Sequence, residues 1–184
     1  MVAYLSGLVL KILGWKPVGT FPDGKKYVVL VVPHTSMFDF ILGRLYYNSI
    51  HKSVKSMVKE KYFFFPLGFW LKSLGCIPVV MNRKTGFVDQ MVNEFNERDS
   101  FLLTVTPEAT RTKVNRWKKG FYYISKQANV PIILAYLDYE KKILGGTDVF
   151  YPTDDEKADF EYLRKYYTKV SPRHPEKYNY EKNI

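Results

Sequence analysis

Short, continuous runs of apolar residues alternate along the chain with segments whose apolar residues recur at helical spacing. The first run, residues 27–32, is rich in β-branched side chains, which is typical of a strand buried on both faces of a parallel sheet. Similar runs predict strands at residues 77–81, 101–105 and 132–137, and we expect a further strand near residues 54–58. Helical spacing predicts helices at residues 37–48, 66–74, 87–95 and 121–128. This alternation predicts an α/β domain with a mostly parallel sheet covered by helices.

The segment after the last of these strands adds an antiparallel element to the predicted sheet. Gly145 and Gly146 lie between two apolar stretches of residues 141–151, a pattern that predicts a hairpin. Thr153 and Glu156 have the spacing of a capping box at the start of a charged helix. We therefore expect a mixed sheet followed by one more helix.

The ends of the chain differ in composition from this central part. Residues 1–16 form an apolar, amphipathic segment, residues 17–170 the predicted domain, and residues 171–184 a predicted flexible tail. The tail is predicted because Pro172 and Pro175 interrupt regular structure.

The N-terminal segment, residues 1–16, leaves two interpretations open. Its apolar run is shorter than the roughly 20 residues that cross a bilayer, and it lacks the pattern of a secretory signal. A short helix packed on the domain is one interpretation. The other is a helix lying in a membrane interface, because Tyr4, Trp15 and Lys11 suit the headgroup region.

Composition and charge narrow the class of protein. The 184 residues are 46% hydrophobic and 25% charged, as in one globular domain and unlike disordered, collagen-like or polytopic membrane proteins. The net charge of +10 favours anionic partners, such as phosphorylated compounds, nucleic acid or an acidic membrane surface. A single cysteine, Cys76, and the lack of Cys/His clusters predict no disulfide and no metal site. We expect a cytoplasmic protein.

Two polar loops follow strands of the predicted sheet. One contains His34 and Asp39, and the other contains Glu108, Thr110 and Arg111. Ligands of open α/β sheets bind at the carboxyl ends of the strands. If the two strands are parallel neighbours, these side chains meet at one edge.

The spacing of His34 and Asp39 has two interpretations. On one continuous helix the two side chains would be about 140° apart. If His34 lies in the loop and Ser36 caps the helix, Asp39 falls in the first helical turn and reaches an imidazole nitrogen, leaving the other nitrogen as a base. Asp39 also fits a capping box, in which it only satisfies backbone donors. The residues alone leave both interpretations open.

The two loops together resemble the glycerolipid acyltransferase family, which includes the lysophosphatidate acyltransferases. The family signature is a block of His, four residues and Asp, followed by a Pro-Glu-Gly-Thr-Arg block. Here these are residues 33–39 and 107–111, with Ala109 in place of the usual glycine. The arginine that family members place after an Ile-Pro-Val run corresponds to Met81, and we assign its role to Arg83, two residues later.

The resemblance implies transfer of a fatty acyl group from an acyl thioester to the hydroxyl of a lysolipid, in phospholipid biosynthesis. Acyl-CoA or acyl carrier protein is the implied donor, 1-acyl-glycerol-3-phosphate is the leading acceptor, and no bound cofactor is expected. His34 becomes the expected general base, oriented by Asp39. The residues expected to bind the acceptor are Glu108, Thr110, Arg111 and Arg83.

The residues of the second loop have side chains that suit binding of a phosphorylated acceptor. The planar guanidinium of Arg111 matches a phosphate, and Thr110 offers a hydroxyl donor. We expect Glu108 to orient Arg111 or an acceptor hydroxyl, or to form a structural salt bridge.

Two other functions remain as alternatives. The same His34/Asp39 pair would serve a hydrolase of thioesters or phosphoesters. A basic, aromatic-rich domain also suits nucleic acid, but no nucleic-acid-binding motif accompanies the charge, so nucleic acid is not an expected partner. The expected setting is a membrane surface, with the protein peripheral at the inner face.

Overall fold

A seven-stranded sheet lies at the centre of the computed structural model, which describes residues 2–79 and 86–180. The strands are β1 (Lys16–Val18), β2 (Lys26–Val31), β3 (Val54–Lys59), β4 (Cys76–Val79), β5 (Phe101–Val105), β6 (Ile132–Asp138) and β7 (Ile143–Phe150). The helices are α1 (Val2–Ile12), α2 (Met37–Ser49), α3 (Leu67–Ser73), α4 (Phe87–Glu97), α5 (Gly120–Ala128) and α6 (Glu156–Tyr167). Two 3₁₀ turns lie at Glu60–Tyr62 and Pro175–Lys177.

The strand order is β1-β7-β6-β2-β5-β3-β4. Neighbouring strands run parallel except β6 and β7, which pair antiparallel. The predicted α/β domain with a mixed, mostly parallel sheet is confirmed. The central strand β2 has neighbours on both sides, which explains why its run of apolar side chains is continuous.

Alternate side chains of β2 enter two separate hydrophobic cores. Val28 and Leu30 pack with residues of α4, α5 and α6 on one face of the sheet. Val29 and Val31 pack with residues of α1 and α2 on the other. The central strand β2 is therefore covered on both faces, and its carboxyl end leads into the loop that holds His34.

The two glycines that predicted a hairpin turn lie inside a strand instead. Gly145 and Gly146 belong to β7, and the turn precedes them, between β6 and β7. A Cβ atom on Gly145 would lie 2.6 Å from the carbonyl oxygen of Val18, and one on Gly146 would lie 2.9 Å from Cβ of Ala135. The pair thus permits close approach of neighbouring strands. The antiparallel strand is confirmed, but the predicted position of the turn is wrong.

Helix α6 begins with a different cap from the one predicted. Asp155 is the N-cap residue, and its carboxylate accepts a hydrogen bond from the backbone N–H of Ala158 at 3.0 Å. Thr153 instead donates its backbone N–H and its hydroxyl to the carboxylate of Asp159. The predicted capping box of Thr153 and Glu156 is therefore wrong, since Thr153 lies two residues before the cap.

The segment after α6 packs against the domain, in contrast to the expected flexible tail. The side chain of Tyr178 is buried in the core shared with α5 and α6. The carbonyl oxygen of Ser171 accepts a hydrogen bond from the N–H of Tyr139 at 2.8 Å, and the N–H of His174 donates to the hydroxyl of Thr35 at 3.2 Å. Up to residue 180, this segment is ordered structure that supports the loop after β2.

Helix α1 packs against α2 through one face only. Leu10 and Ser6 are buried, whereas Tyr4 and Ile12 are 76% and 74% exposed. The helix therefore combines contact with the domain and an exposed apolar face. No helix within residues 2–79 and 86–180 has the length and apolar character needed to span a membrane.

Candidate active site

The loops after β2 and β5 meet at the carboxyl ends of these strands. Parallel pairing of the two strands brings the loops side by side, with Leu30 opposite Val105. The backbone N–H of His34, in the first loop, donates a hydrogen bond of 3.0 Å to Oε1 of Glu108, in the second. The predicted convergence of the two loops is therefore present.

His34 and Asp39 form the contact predicted for a catalytic pair. Nδ1 of His34 lies 3.1 Å from Oδ2 of Asp39. The same oxygen accepts the backbone N–H groups of Thr35 and Ser36, both at 2.9 Å, and the Ser36 hydroxyl accepts the N–H of Phe38. Asp39 thus completes a capping box and also contacts His34, so the two contacts considered as alternatives occur in the same loop.

The environment of Asp39 keeps its carboxyl group ionised. Burial raises the pKa of Asp39, but hydrogen bonds from His34, Tyr139 and the backbone of Ser36 outweigh burial and hold the pKa below its ordinary value. An ionised Asp39 can only accept a hydrogen bond from Nδ1–H of His34, so the neutral imidazole keeps its lone pair on Nε2. This is the tautomer that a general base requires.

Tyr139 also belongs to the site, although sequence analysis did not identify it. Its hydroxyl donates a hydrogen bond of 2.6 Å to Oδ1 of Asp39. Tyr139 follows β6, a parallel neighbour of β2, so it lies at the same edge of the sheet as His34. The rule that ligands bind at carboxyl ends, applied to every parallel strand, would have identified it.

Glu108 contacts the backbone of the His34 loop. Glu108 is 5% exposed. Among the described residues, which include Arg111, its carboxyl group forms no ion pair with an arginine or lysine. Oε1 accepts the N–H of His34, and Oε2 has no partner among the described residues. Burial raises the pKa of Glu108 to about 8, with the charge of Asp39 as a smaller contribution. Glu108 therefore joins the two loops as a largely protonated carboxyl group.

Replacing Glu108 by glutamine should make stability less sensitive to pH. A group whose pKa rises on folding, from 4.5 to about 8 here, stabilises the fold below its unfolded pKa. That stabilisation is lost as pH rises towards 8, by at most about 1.4 kcal/mol per pH unit. Glutamine mimics the protonated form, so the Glu108→Gln variant should gain stability relative to wild type between pH 5 and pH 8, measured by urea denaturation.

The matched control is Glu97→Gln, at an exposed position of α4. Its stability relative to wild type should stay constant over the same pH range. A constant difference for Glu108→Gln as well would contradict the buried, protonated state of Glu108.

The remaining residues of the second loop lie at its surface. Ala109 has a positive φ of 54°, a left-handed conformation that favours glycine, which explains why family members usually have glycine there. The hydroxyl of Thr110 lies 3.1 Å from that of Thr112, and Arg111 is exposed. Arg83, the other residue expected to bind the acceptor, falls outside the described residues.

A cavity of about 1240 Å³ opens beside these loops, larger than typical small-molecule sites of about 300–1,000 Å³. His34, Asp39, Thr110 and Arg111 line it together, which brings four of the predicted site residues to one space. Apolar side chains from α2, β3, α3 and β4 line other parts. The cavity therefore combines a polar region at the two loops with apolar walls.

Cys76 also lines this cavity but has the properties of a structural residue. The side chain is buried, and burial raises the pKa of its thiol. A thiol with a raised pKa is a poor nucleophile at neutral pH. His34 is therefore the better candidate for the reactive group.

Comparison with known proteins now identifies the family. The sequence model of the family described as Acyltransferase matches residues 16–137, two thirds of the chain and both loops. The chain belongs to the acyltransferase family. The resemblance to glycerolipid acyltransferases is thereby confirmed, and the protein is an acyltransferase enzyme.

A solved structure shares the fold of this acyltransferase. The crystal structure of the 1-acyl-sn-glycerophosphate (LPA) acyltransferase PlsC from Thermotoga maritima superimposes with a TM-score of 0.60. The match covers 90% of this chain and 75% of that chain at 14% sequence identity, so it shows a common fold. The search of curated protein sequences found no match to this chain.

Proposed function

We propose that this acyltransferase moves a fatty acyl group from an acyl thioester to the hydroxyl of a lysolipid in phospholipid biosynthesis. Acyl-CoA or acyl carrier protein is the donor, and 1-acyl-glycerol-3-phosphate is the leading acceptor. The observation that carries the proposal is the His34–Asp39 pair in a cavity that combines Arg111 with apolar walls. The fold that it shares with the LPA acyltransferase PlsC supports the same acceptor class.

In the proposed mechanism, His34 acts as the general base. Nε2 removes the proton of the acceptor hydroxyl while the hydroxyl oxygen attacks the thioester carbonyl carbon. The C–S bond then breaks, and the departing sulfur takes the proton from Nε2 as the new ester forms. Positioned general-base catalysis contributes about 10²–10⁴-fold in rate, and ionised Asp39 stabilises the imidazolium between the two steps.

The cavity supports direct transfer of the acyl group. Its apolar side chains, which include Met57, Leu71 and Val79, suit a fatty acyl chain. Because the Cys76 thiol is buried with a raised pKa, we propose no covalent acyl-enzyme. The acyl chain and the acceptor would meet at His34.

Arg111 is the proposed ligand of the acceptor phosphate, because it is exposed and lines the cavity beside His34. Arg111→Lys keeps the charge but loses the bidentate geometry. We expect KM for 1-acyl-glycerol-3-phosphate to rise about tenfold and KM for the acyl donor to change less than twofold, as measured by steady-state kinetics.

Arg116→Lys provides the control, since Arg116 is exposed in the same loop but does not line the described cavity. Its KM values should match wild type. An equal rise in both KM values for Arg111→Lys would place Arg111 at the donor or in the scaffold.

We further propose that the acyltransferase works as a peripheral protein at the inner face of the membrane. The exposed face of α1 carries apolar side chains, and α1 packs on α2. Met37, in the first turn of α2, is exposed and also lines the cavity. Exposed aromatic side chains at and just before α3 provide further apolar surface. Contact through these surfaces would bring a lipid-embedded acceptor close to the site.

The most exposed side chains of α1 test this contact. Tyr4 and Ile12 point to solvent, so replacing both by serine should spare the fold but remove about 1.5–3 kcal/mol of membrane affinity per apolar side chain. We expect the double variant to float poorly with vesicles of phosphatidylcholine and anionic phospholipid. Its activity on a short-chain, soluble acceptor should remain within twofold of wild type.

The matched control replaces Tyr151 and Tyr162 by serine, because both are exposed and neither belongs to α1. Its flotation should equal that of wild type. If the Tyr4/Ile12 variant floats as well as wild type, the membrane contact lies elsewhere.

A further inference from the structure

The hydrogen bonds of Asp39 divide between its two carboxylate oxygens. Oδ2 lies against the imidazole of His34 and two backbone N–H groups of the same loop. Oδ1 faces away from this loop and accepts the hydroxyl of Tyr139 at 2.6 Å. All the donors to Oδ2 are local, whereas Tyr139 lies 100 residues further along the chain.

The backbone and the ring of Tyr139 both contact the surrounding structure. Its backbone N–H donates to the carbonyl oxygen of Ser171 at 2.8 Å, in the packed segment after α6. Its ring meets the indole of Trp15 edge to face, with centroids 4.9 Å apart and planes at 88°. Trp15 is buried, so this contact is part of the packed structure. The hydroxyl of Tyr139 therefore occupies a defined place beside Asp39.

We propose that Tyr139 is a positioning residue for the His34–Asp39 pair. Its hydroxyl fixes the orientation of the Asp39 carboxylate, so that Oδ2 stays within hydrogen-bond distance of Nδ1 of His34. This inference rests on the proposed role of the pair in acyl transfer. Tyr139 contacts Asp39 but is not among the described residues that line the cavity. It therefore acts through Asp39 and not on a substrate.

Removing the hydroxyl would leave a buried oxygen without its donor. The side chain of Asp39 is almost completely buried, so Oδ1 has little access to solvent. The carboxylate would then turn towards other donors, and the imidazole would lose its fixed orientation. Small displacements of reacting groups lower the rate of the chemical step without weakening substrate binding.

Tyr139→Phe tests the proposal, because phenylalanine keeps the ring that packs on Trp15. We expect kcat to fall about tenfold, with KM for the donor and for a soluble acceptor within twofold of wild type. Tyr122→Phe is the matched control, since the hydroxyl of Tyr122 donates to Asp159 at 2.8 Å in a buried Tyr–Asp pair remote from His34. Tyr122→Phe should lower the melting temperature by a similar amount and leave kcat within twofold.

A double-mutant cycle shows whether Tyr139 acts through Asp39. In the Asp39→Asn background, Tyr139→Phe should change kcat less than twofold, because the interaction it supports is already lost. A tenfold loss in that background would overturn the proposal, as would a kcat for Tyr139→Phe within twofold of wild type, or a loss of kcat equal to that of Tyr122→Phe.

Failure of this proposal is distinguishable from failure of the proposed function. If His34→Ala keeps full activity, the proposed base is wrong whatever Tyr139 does. If His34→Ala is inactive and Tyr139→Phe is normal, only the positioning role is rejected.

Discussion

The His34→Ala variant is expected to lower kcat of acyl transfer by about 10²-fold or more while the protein stays folded. The imidazole is the proposed proton acceptor, and its partner Asp39 cannot replace it because Asp39 is buried and occupied by four hydrogen-bond donors. The side chain of His34 lies in a loop that lines the cavity, so its loss leaves the two cores intact. Steady-state kinetics and thermal unfolding of the same preparation measure both effects.

His51 provides a matched control for this variant. It is exposed at the end of α2 with a positive φ of 57°, a conformation that asparagine tolerates. His51→Asn should leave kcat and stability near wild type. Near-normal turnover in folded His34→Ala would remove His34 as the base.

The Asp39→Asn variant should lose both rate and stability. An amide offers one acceptor oxygen, so it cannot satisfy Tyr139 on one side and the three donors of the His34 loop on the other. We expect kcat to fall about 10²-fold, because the imidazole loses its orientation and its stabilising charge. The free energy of unfolding should fall by about 1–3 kcal/mol, because buried polar groups lose partners.

Ser36→Ala separates the capping role from the catalytic one. The Ser36 hydroxyl caps α2 without contacting His34, so its loss should lower stability by about 0.5–2 kcal/mol and change kcat less than threefold. If Asp39→Asn behaves in the same way, with reduced stability and intact turnover, Asp39 is a helix cap and not an orienting partner.

Strands β2, β5 and β6 were predictable from sequence because each is a nearly continuous, buried apolar run. Residues 27–32 contain β2, and residues 101–105 coincide with β5. The order of the strands was not predictable, since runs buried on both faces do not specify their neighbours. Gly145 and Gly146 misled the prediction of the turn for a related reason: contacts with β1 and β6, remote in sequence, require small residues there.

The same distinction between local and remote contacts applies to the site. The pairing of His34 with Asp39 was predictable because five residues separate them and a helix start lies between. Glu108 meets the backbone of His34 from 74 residues away, and Tyr139 meets Asp39 from 100 residues away. Such contacts depend on which strands become neighbours, and this follows from tertiary packing.

Product analysis by mass spectrometry tests the central claim most directly. Purified wild-type protein is incubated with acyl-CoA or acyl carrier protein charged with a fatty acid, with and without 1-acyl-glycerol-3-phosphate. The account predicts that phosphatidate forms, with one thiol released per ester, and that the donor is consumed only when the acceptor is present. Release of free fatty acid at the same rate without any acceptor would contradict acyl transfer and identify the His34–Asp39 pair as the centre of a hydrolase.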